Sequence, residues 1–247
     1  MDEENVFCAG HPRACKRLPS TLRTQPTFLA VGVWPVKSFF MEFYRNVLPE
    51  YARQLLSVLG AMPFLQPTYL AGGTGLALQL GHRISADLDF FFPEEFDVSL
   101  AIQKLSAAGK FRLTKKSEQT VIGTLNEVKL ALLGYRYPIL FPLHEISGIH
   151  VADTRDIACM KIDAIAGRGT KRDFIDLFFI LKEIAALSDI LGFFGKKYAA
   201  LQYNMVHVKK SLVYFADAEE DPMPQMLQPA SWDEVKKYLE REVLLLS

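Results

Sequence analysis

The sequence predicts a mixed α/β fold, a small mixed sheet followed by a C-terminal helical half. Three observations support this. Short segments of alternating apolar and polar residues gather between residues 68 and 135. Apolar residues at helical spacing dominate from residue 153 onward. Within the first of these regions, a glycine-marked turn joins strand to helix to strand in "YLAGGTGLALQLGHRISADLDFFF", Tyr69 to Phe92.

The chain divides into three parts on composition. Residues 1–40 mix prolines, cysteines and basic residues with no period, and are expected to be an irregular extension, with Met41 as the natural start or the segment as a loose addition. Residues 41–152 hold the predicted sheet, and 153–247 the predicted helical subdomain. From Met41, the residues Tyr44, Val47, Leu48, Tyr51, Leu55 and Leu59 fall at helical spacing, which predicts a first helix.

In the glycine-marked stretch, Thr68, Tyr69 and Leu70 favour extended backbone. Gly72 and Gly73 permit a bend or a close approach, Thr74 can cap a helix containing Leu76, Leu78 and Leu80, and Gly81 can end it. Asp87 to Phe92 then reads as a strand whose period of two places Asp87 and Asp89 on one face and Leu88 and Phe90 on the other. A surface strand would explain two acids, but Phe90, Phe91 and Phe92 argue for a strand inside a packed sheet. Like charges at the edge of a core are costly without a compensating cation or donors, and a hard oxygen-seeking ion such as Mg²⁺ would supply one. The Gly-Gly-Thr turn would offer backbone N–H groups and a hydroxyl to phosphate oxygens at a helix N-terminus. Together these features suggest nucleotide chemistry.

Further along, "DVSLAIQKLSAAGK" predicts a helix capped by Asp97 and ended by Gly109, and "FRLTKKSEQTVIGTLNEVKLALLGY" two or three antiparallel strands. Asp153 can cap a helix with Asp156 in its first turn, ended by Gly167 or Gly169, and another helix starts near Thr170. Lys161 lies four residues from both Ile157 and Ile165, on their apolar stripe, and Asp176 is the only polar residue from Phe174 to Leu181. A Lys161–Asp176 or Arg172–Asp176 ion pair locking two helices would account for this. Arg168, Lys171 and Arg172 make a basic, solvated turn that could also touch a triphosphate or RNA, whereas Lys196, Lys197, Lys209 and Lys210 are expected in solvent and His207 is read as structural.

Composition narrows the alternatives. Lys plus Arg equals Asp plus Glu at 28 each, so the overall balance leaves no electrostatic footprint for nucleic acid or an anionic membrane. Cys8, Cys15 and Cys159 are too few and irregular for a disulfide framework or zinc site. With no apolar run near the roughly 20 residues that span a bilayer, and an acidic start "MDEEN" unlike a signal peptide, a cytoplasmic protein without membrane partners is expected.

A Gly-Gly-Thr turn, a short helix and an Asp-x-Asp on the next strand resemble the nucleotidyltransferase superfamily that shares the polymerase β palm fold. More narrowly, "GGTGLALQLGHRISADLDFF", with Arg83 and Ser85 before the acids, resembles the AbiEii/AbiGii toxin family. The resemblance implies an enzyme that binds a nucleoside triphosphate with Mg²⁺ (or Mn²⁺) and transfers a nucleotidyl group to an acceptor, with tRNA among the family's acceptors and an antitoxin as a common partner. It implies that Gly72, Gly73 and Thr74, with Arg83 and Ser85, serve the nucleotide, and that Asp87 and Asp89 hold the metal. Lys161 matches a lysine the family needs, and in "KRDFIDL" both Asp173 and Asp176 are candidates for the acid that orients the triphosphate or contacts the base. A third metal-binding acid would be expected near Ala131, where none stands. Glu127 could substitute, or be a surface glutamate. The loss motivates an alternative: a degenerate fold that binds nucleotide or a protein partner without catalysis.

Overall fold

The computed structural model describes residues 43–246. The segment 1–40 and the expected boundary at Met41 lie outside the described residues. Seven strands form one mixed sheet: β1 (Tyr69–Leu70), β2 (Leu88–Phe92), β3 (Phe111–Ser117), β4 (Thr120–Leu125), β5 (Val128–Gly134), β6 (His144–Ile146) and β7 (Ile149–Val151), in the order β3-β4-β5-β2-β1-β7-β6. The pairs β2–β5 and β1–β7 are parallel and the rest antiparallel.

The first helix, α1, runs Glu50–Gly60, shorter than the spacing from Met41 predicts. Pro49 is its N-cap, and the residue before a proline is driven away from helical backbone; Leu48 is accordingly extended. Leu55 and Leu59 are buried as expected, but Tyr44 and Tyr51 are exposed, and Ala52 and Leu56 complete the buried stripe. Helix α2 (Gly72–Leu80) ends at Gly81, whose φ of 65° is left-handed backbone that favours glycine. Helix α3 (Val98–Ala108) is capped by the Asp97 carboxylate, which accepts from the Ser99 and Leu100 N–H groups.

The antiparallel strands predicted from Phe111 to Tyr135 are β3, β4 and β5. Asn126 and Glu127 turn between β4 and β5 with φ of 48° and 70°, so Glu127 belongs to a hairpin turn rather than to a strand face. The hairpin of β6 and β7 was not anticipated. Its strands are only three residues long, and its one local signal is the Ser147-Gly148 turn at positive φ.

Four helices and a short one cover one side of the sheet: α4 (Thr154–Arg168), α5 (Lys171–Glu183), α6 (Leu187–Lys197), α7 (Met205–Ser211) and α8 (Trp232–Leu244). Asp153 caps α4, and Gly169 ends it. Thr170 and Asp173 form a reciprocal capping box on α5.

The period-two pattern of β2 sorts its residues between two cores. Leu88, Phe90 and Phe92 join Leu130, Leu132 and the α1 leucines on one side. Phe91 joins Leu133, Tyr135 and the apolar faces of α4, α5 and α6 on the other. Phe174, Phe178 and Phe179 of α5 are almost wholly buried there, each contributing about 1.5–3 kcal/mol of transfer free energy. Two lysines expected in solvent are not there. Lys197 is 2% exposed, its ammonium donating to Asp156 Oδ1 at 2.7 Å and Pro138 O at 2.8 Å. Lys171 is 6% exposed and donates to the carbonyls of Glu219 and Asp221. Sequence spacing cannot show that Pro138 and α4 bring acceptors to Lys197, or that the 219–221 segment brings them to Lys171.

Candidate active site

Asp89 lies inside β2 and Asp87 immediately before it, so alternation turns both carboxylates toward the side covered by α4 and α5. Asp89 is partly buried, and among the described residues its carboxylate accepts no hydrogen bond. Burial first, then the charge of Asp87, pushes its pKa up to about 6. Asp87 is more open, with Arg172 Nη1 at 3.9 Å from its Oδ2.

The two glycines before α2 serve close approach. Gly72 has a φ of 64°, and a Cβ there would stand 2.8 Å from Asp89 Oδ2. A Cβ on Gly73 would stand 2.2 Å from Arg83 Nη2 and 3.5 Å from Ser85 Oγ. The Gly-Gly pair therefore lets a carboxylate and a guanidinium close on the start of α2, where the first-turn N–H groups lack helical partners.

Thr74 does not cap that helix. Ala71 is the N-cap, without a side-chain cap, and Thr74 is the third helical residue, 1% exposed. Its hydroxyl lies 2.8 Å from Ser85 Oγ and donates to Asp87 O at 2.5 Å. Thr74 and Ser85 thus tie α2 to the segment that presents the acids.

Behind them sits a buried ion cluster. Asp176 is fully buried; Arg83 donates through Nε to its Oδ1 at 2.7 Å and through Nη2 to its Oδ2 at 2.8 Å. Lys161 Nζ is 2.7 Å from Asp176 Oδ2 and donates to Asp173 Oδ1 at 2.7 Å. His82 Nε2 is 2.8 Å from Asp176 Oδ1. Asp173 Oδ2 also accepts from the Thr170 hydroxyl and N–H. Burial pushes the Asp176 carboxyl up, but Arg83 and then Lys161 more than offset this and hold it well below the usual range. For Lys161, burial lowers the pKa, and Asp173 and Asp176 together raise it above the ordinary value.

This geometry corrects several expectations. Asp176 pairs with Lys161, as one ion-pair reading had it, but Arg172 turns to Asp87 instead. Both oxygens of Asp176 and of Asp173 accept from the chain's own donors, and both acids are almost wholly buried. Lys161, 4% exposed, lies between those two carboxylates rather than against solvent. Among the described residues no cluster of three His, Cys, Asp or Glu side chains is poised to hold a metal. Ala131 stands directly beside Asp89 in the register, and Glu127, four residues earlier, is about 13 Å away along the strand. Its exposed carboxylate comes no closer than 4.0 Å to Arg112. His82 went unrecognised in the sequence because nothing in its position reveals the partner 94 residues away.

Residues 54–141 match the family described as "Nucleotidyl transferase AbiEii toxin, Type IV TA system". The chain is 38% identical over 204 residues to the protein aq_aa25 of Aquifex aeolicus (strain VF5), covering 79% of this chain and 96% of that one. MenT4, the nucleotidyltransferase toxin Rv2826c from Mycobacterium tuberculosis H37Rv, superposes with a TM-score of 0.52 at 14% identity, over 79% of this chain and 83% of that one. JHP933 from Helicobacter pylori matches at a TM-score of 0.46 and 20% identity, over 81% and 93% of the two chains. Likeness to MenT4 at such identity shows a shared nucleotidyltransferase fold, and the family match falls on the residues that include β1 to β5 and the motif. The chain belongs to the AbiEii nucleotidyl transferase toxin family.

Proposed function

We propose that the protein transfers a nucleotidyl group from a nucleoside triphosphate to an RNA acceptor, tRNA in the first instance, as a toxin held in check by an antitoxin. The observation that supports this reading is the pair Asp87 and Asp89 converging beside the glycine-opened start of α2, with Arg172 near Asp87. A partly buried carboxylate with no hydrogen-bond donor and a pKa raised to about 6 is a poor structural element and a good cation ligand. Asp87 and Asp89 would hold Mg²⁺ or Mn²⁺, which when bound supplies electrostatic stabilisation to the phosphoryl group.

The chain's own residues divide the remaining work. The N–H groups at the start of α2 face phosphate oxygens, and exposed Arg172 adds a positive charge beside them. Thr74 and Ser85 hold the acid-bearing segment in place. Arg83, Lys161, Asp173 and Asp176 act as positioning residues that fix α4 and α5 against α2.

A second reading, nucleotide binding without catalysis, has one specific observation in its favour: Ala131 occupies the position beside Asp89, and Glu127 is too distant to replace an acid there. Incubation of the wild type and Asp87→Ala with α-labelled nucleotides, a divalent cation and total tRNA separates the two. Label on tRNA that disappears in Asp87→Ala supports transfer. Nucleotide binding with no label from any of the four nucleotides favours the second reading.

A further inference from the structure

Helix α5 begins against the usual charge rule. The N–H groups of a first helical turn favour negative side chains and disfavour positive ones, yet α5 starts with Lys171 and Arg172 before Asp173 restores the rule. Lys171 is compensated within the chain: its ammonium donates to the carbonyls of Glu219 and Asp221, and its N–H to the Asp221 carboxylate at 3.0 Å. These contacts pin the start of the helix. Arg172, next along, is about half exposed and extends to the acid pair, with Nη1 3.9 Å from Asp87 Oδ2.

An ion pair of that length lies outside hydrogen-bonding range, and between half-exposed partners it contributes little to folding. Stability does not explain a cation at this helix end. Arg83 and Lys161 are committed elsewhere, being buried and donating to Asp176 and Asp173. Arg172 can change partners without breaking a buried contact. The start of α2 is close to the acids it faces: the Thr74 hydroxyl donates to Asp87 O, and Gly72 lies against the Asp89 carboxylate. A phosphate placed between α2 and the acids is therefore a neighbour of the Arg172 guanidinium. Its charge also reaches Asp89, whose pKa is raised by burial and then by Asp87, while Lys161 and Arg172 oppose the rise.

We propose that Arg172 alternates between two partners: it pairs with Asp87, where it competes with the divalent cation for the carboxylate, and with the triphosphate, which draws it off and leaves Asp87 to the cation. This rests on the nucleotide and cation sites proposed above. A cation taken by Asp87 brings two positive charges against the guanidinium, and a triphosphate brings negative charge that relieves them. Cation and nucleotide then favour each other's binding through one side chain.

Calorimetry tests this in two separate titrations: Mn²⁺ alone and, with a chelator present, the α,β-methylene analogues of the four nucleoside triphosphates. Arg172→Gln is expected to tighten Mn²⁺ binding about 3- to 10-fold and to weaken nucleotide binding at least about 5-fold. Arg172→Lys keeps the charge and should leave Mn²⁺ affinity within about 2-fold of the wild type. Lys182→Gln makes the same charge change about 15 Å further along α5 and should alter neither affinity. A double-mutant cycle reads the competition itself. Asp87→Asn should tighten metal-free nucleotide binding about 2- to 5-fold more in the wild type than in Arg172→Gln, because only with Arg172 present does the acid hold a guanidinium back. Additive effects in the cycle, unchanged Mn²⁺ affinity in Arg172→Gln, or equal changes in Lys182→Gln each overturn the exchange, as does a wild type that binds neither ligand. The expected affinity shifts with no label transferred to tRNA uphold the exchange and refute transfer, so the two failures are distinct.

Discussion

Replacing Asp176 by Asn should destabilise the protein by about 3–5 kcal/mol, because it removes the negative charge from a fully buried cluster and leaves Arg83 and Lys161 facing Asp173 alone. Two of its contacts are charge-assisted bonds from Arg83 at 2.7 and 2.8 Å, and Lys161 is 2.7 Å from the same carboxylate. Bonds of this kind contribute about 1.5–3 kcal/mol each, and an amide oxygen can retain part of one. For a chain of this size the loss corresponds to a fall in Tm of about 6–20 °C. Urea unfolding followed by circular dichroism measures it directly. The pH dependence gives a second reading. With its folded pKa held well below the usual value, Asp176 contributes stability that is present above about pH 4 and is lost as pH falls through the folded pKa. Asp176→Asn should flatten this acid-side slope. A destabilisation below about 1 kcal/mol, with the slope unchanged, would refute the view that this cluster locks α4 and α5 onto α2.

Other substitutions separate function from folding. Asp89 has a folded pKa raised to about 6, so its neutral form is favoured in the fold and stability is lost as pH rises from about 4 toward 6; Asp89→Asn should stabilise the cation-free protein above that range by up to about 3 kcal/mol, seen as a higher urea midpoint near neutral pH. The same variant should lose divalent-cation binding by calorimetry. Gly73→Ala places a methyl 2.2 Å from Arg83 Nη2 and should cost about 1–3 kcal/mol by urea unfolding, as the guanidinium leaves Asp176. Lys197→Met strands the buried Asp156 carboxylate and should cost about 3–5 kcal/mol, where a solvent-facing lysine would cost under about 0.5. Ala131→Asp adds a carboxylate beside Asp89 and should tighten divalent-cation binding, with label transfer to tRNA rising if the missing acid limits catalysis.

Much of the fold was legible because local rules and tertiary packing agree. Asp97, Asp153 and Gly81 stand where the helices they delimit begin and end, and the alternation of β2 sorts its residues between the two cores. Where two local signals conflict, the backbone constraint wins: Pro49 delays α1 to Glu50 despite an apolar spacing that starts earlier.

At the site, the order of the Gly-Gly turn, the short helix and the Asp-x-Asp strand was sufficient to identify the superfamily, because close approach and period-two alternation are properties of the backbone and leave a mark in sequence. The partners of each charge leave no such mark. The family resemblance implies a nucleotide role for Arg83 and Ser85; it does not reveal that Arg83 donates to Asp176 or that Ser85 Oγ lies 2.8 Å from the Thr74 hydroxyl. Lys197 resembles Lys196 until the 138–141 segment and Asp156 are brought to it.

By itself the sequence determined which backbone elements form and which residue types the turn and strand present. Only the tertiary structure decided which charges face one another, because ion pairs join residues far apart in the chain, such as Arg83 and Asp176, and depend on how α2, α4 and α5 meet. It also decided that the acid-bearing face runs on through β5, β4 and β3 to Lys115, since register across strands is set by pairing and not by any single segment.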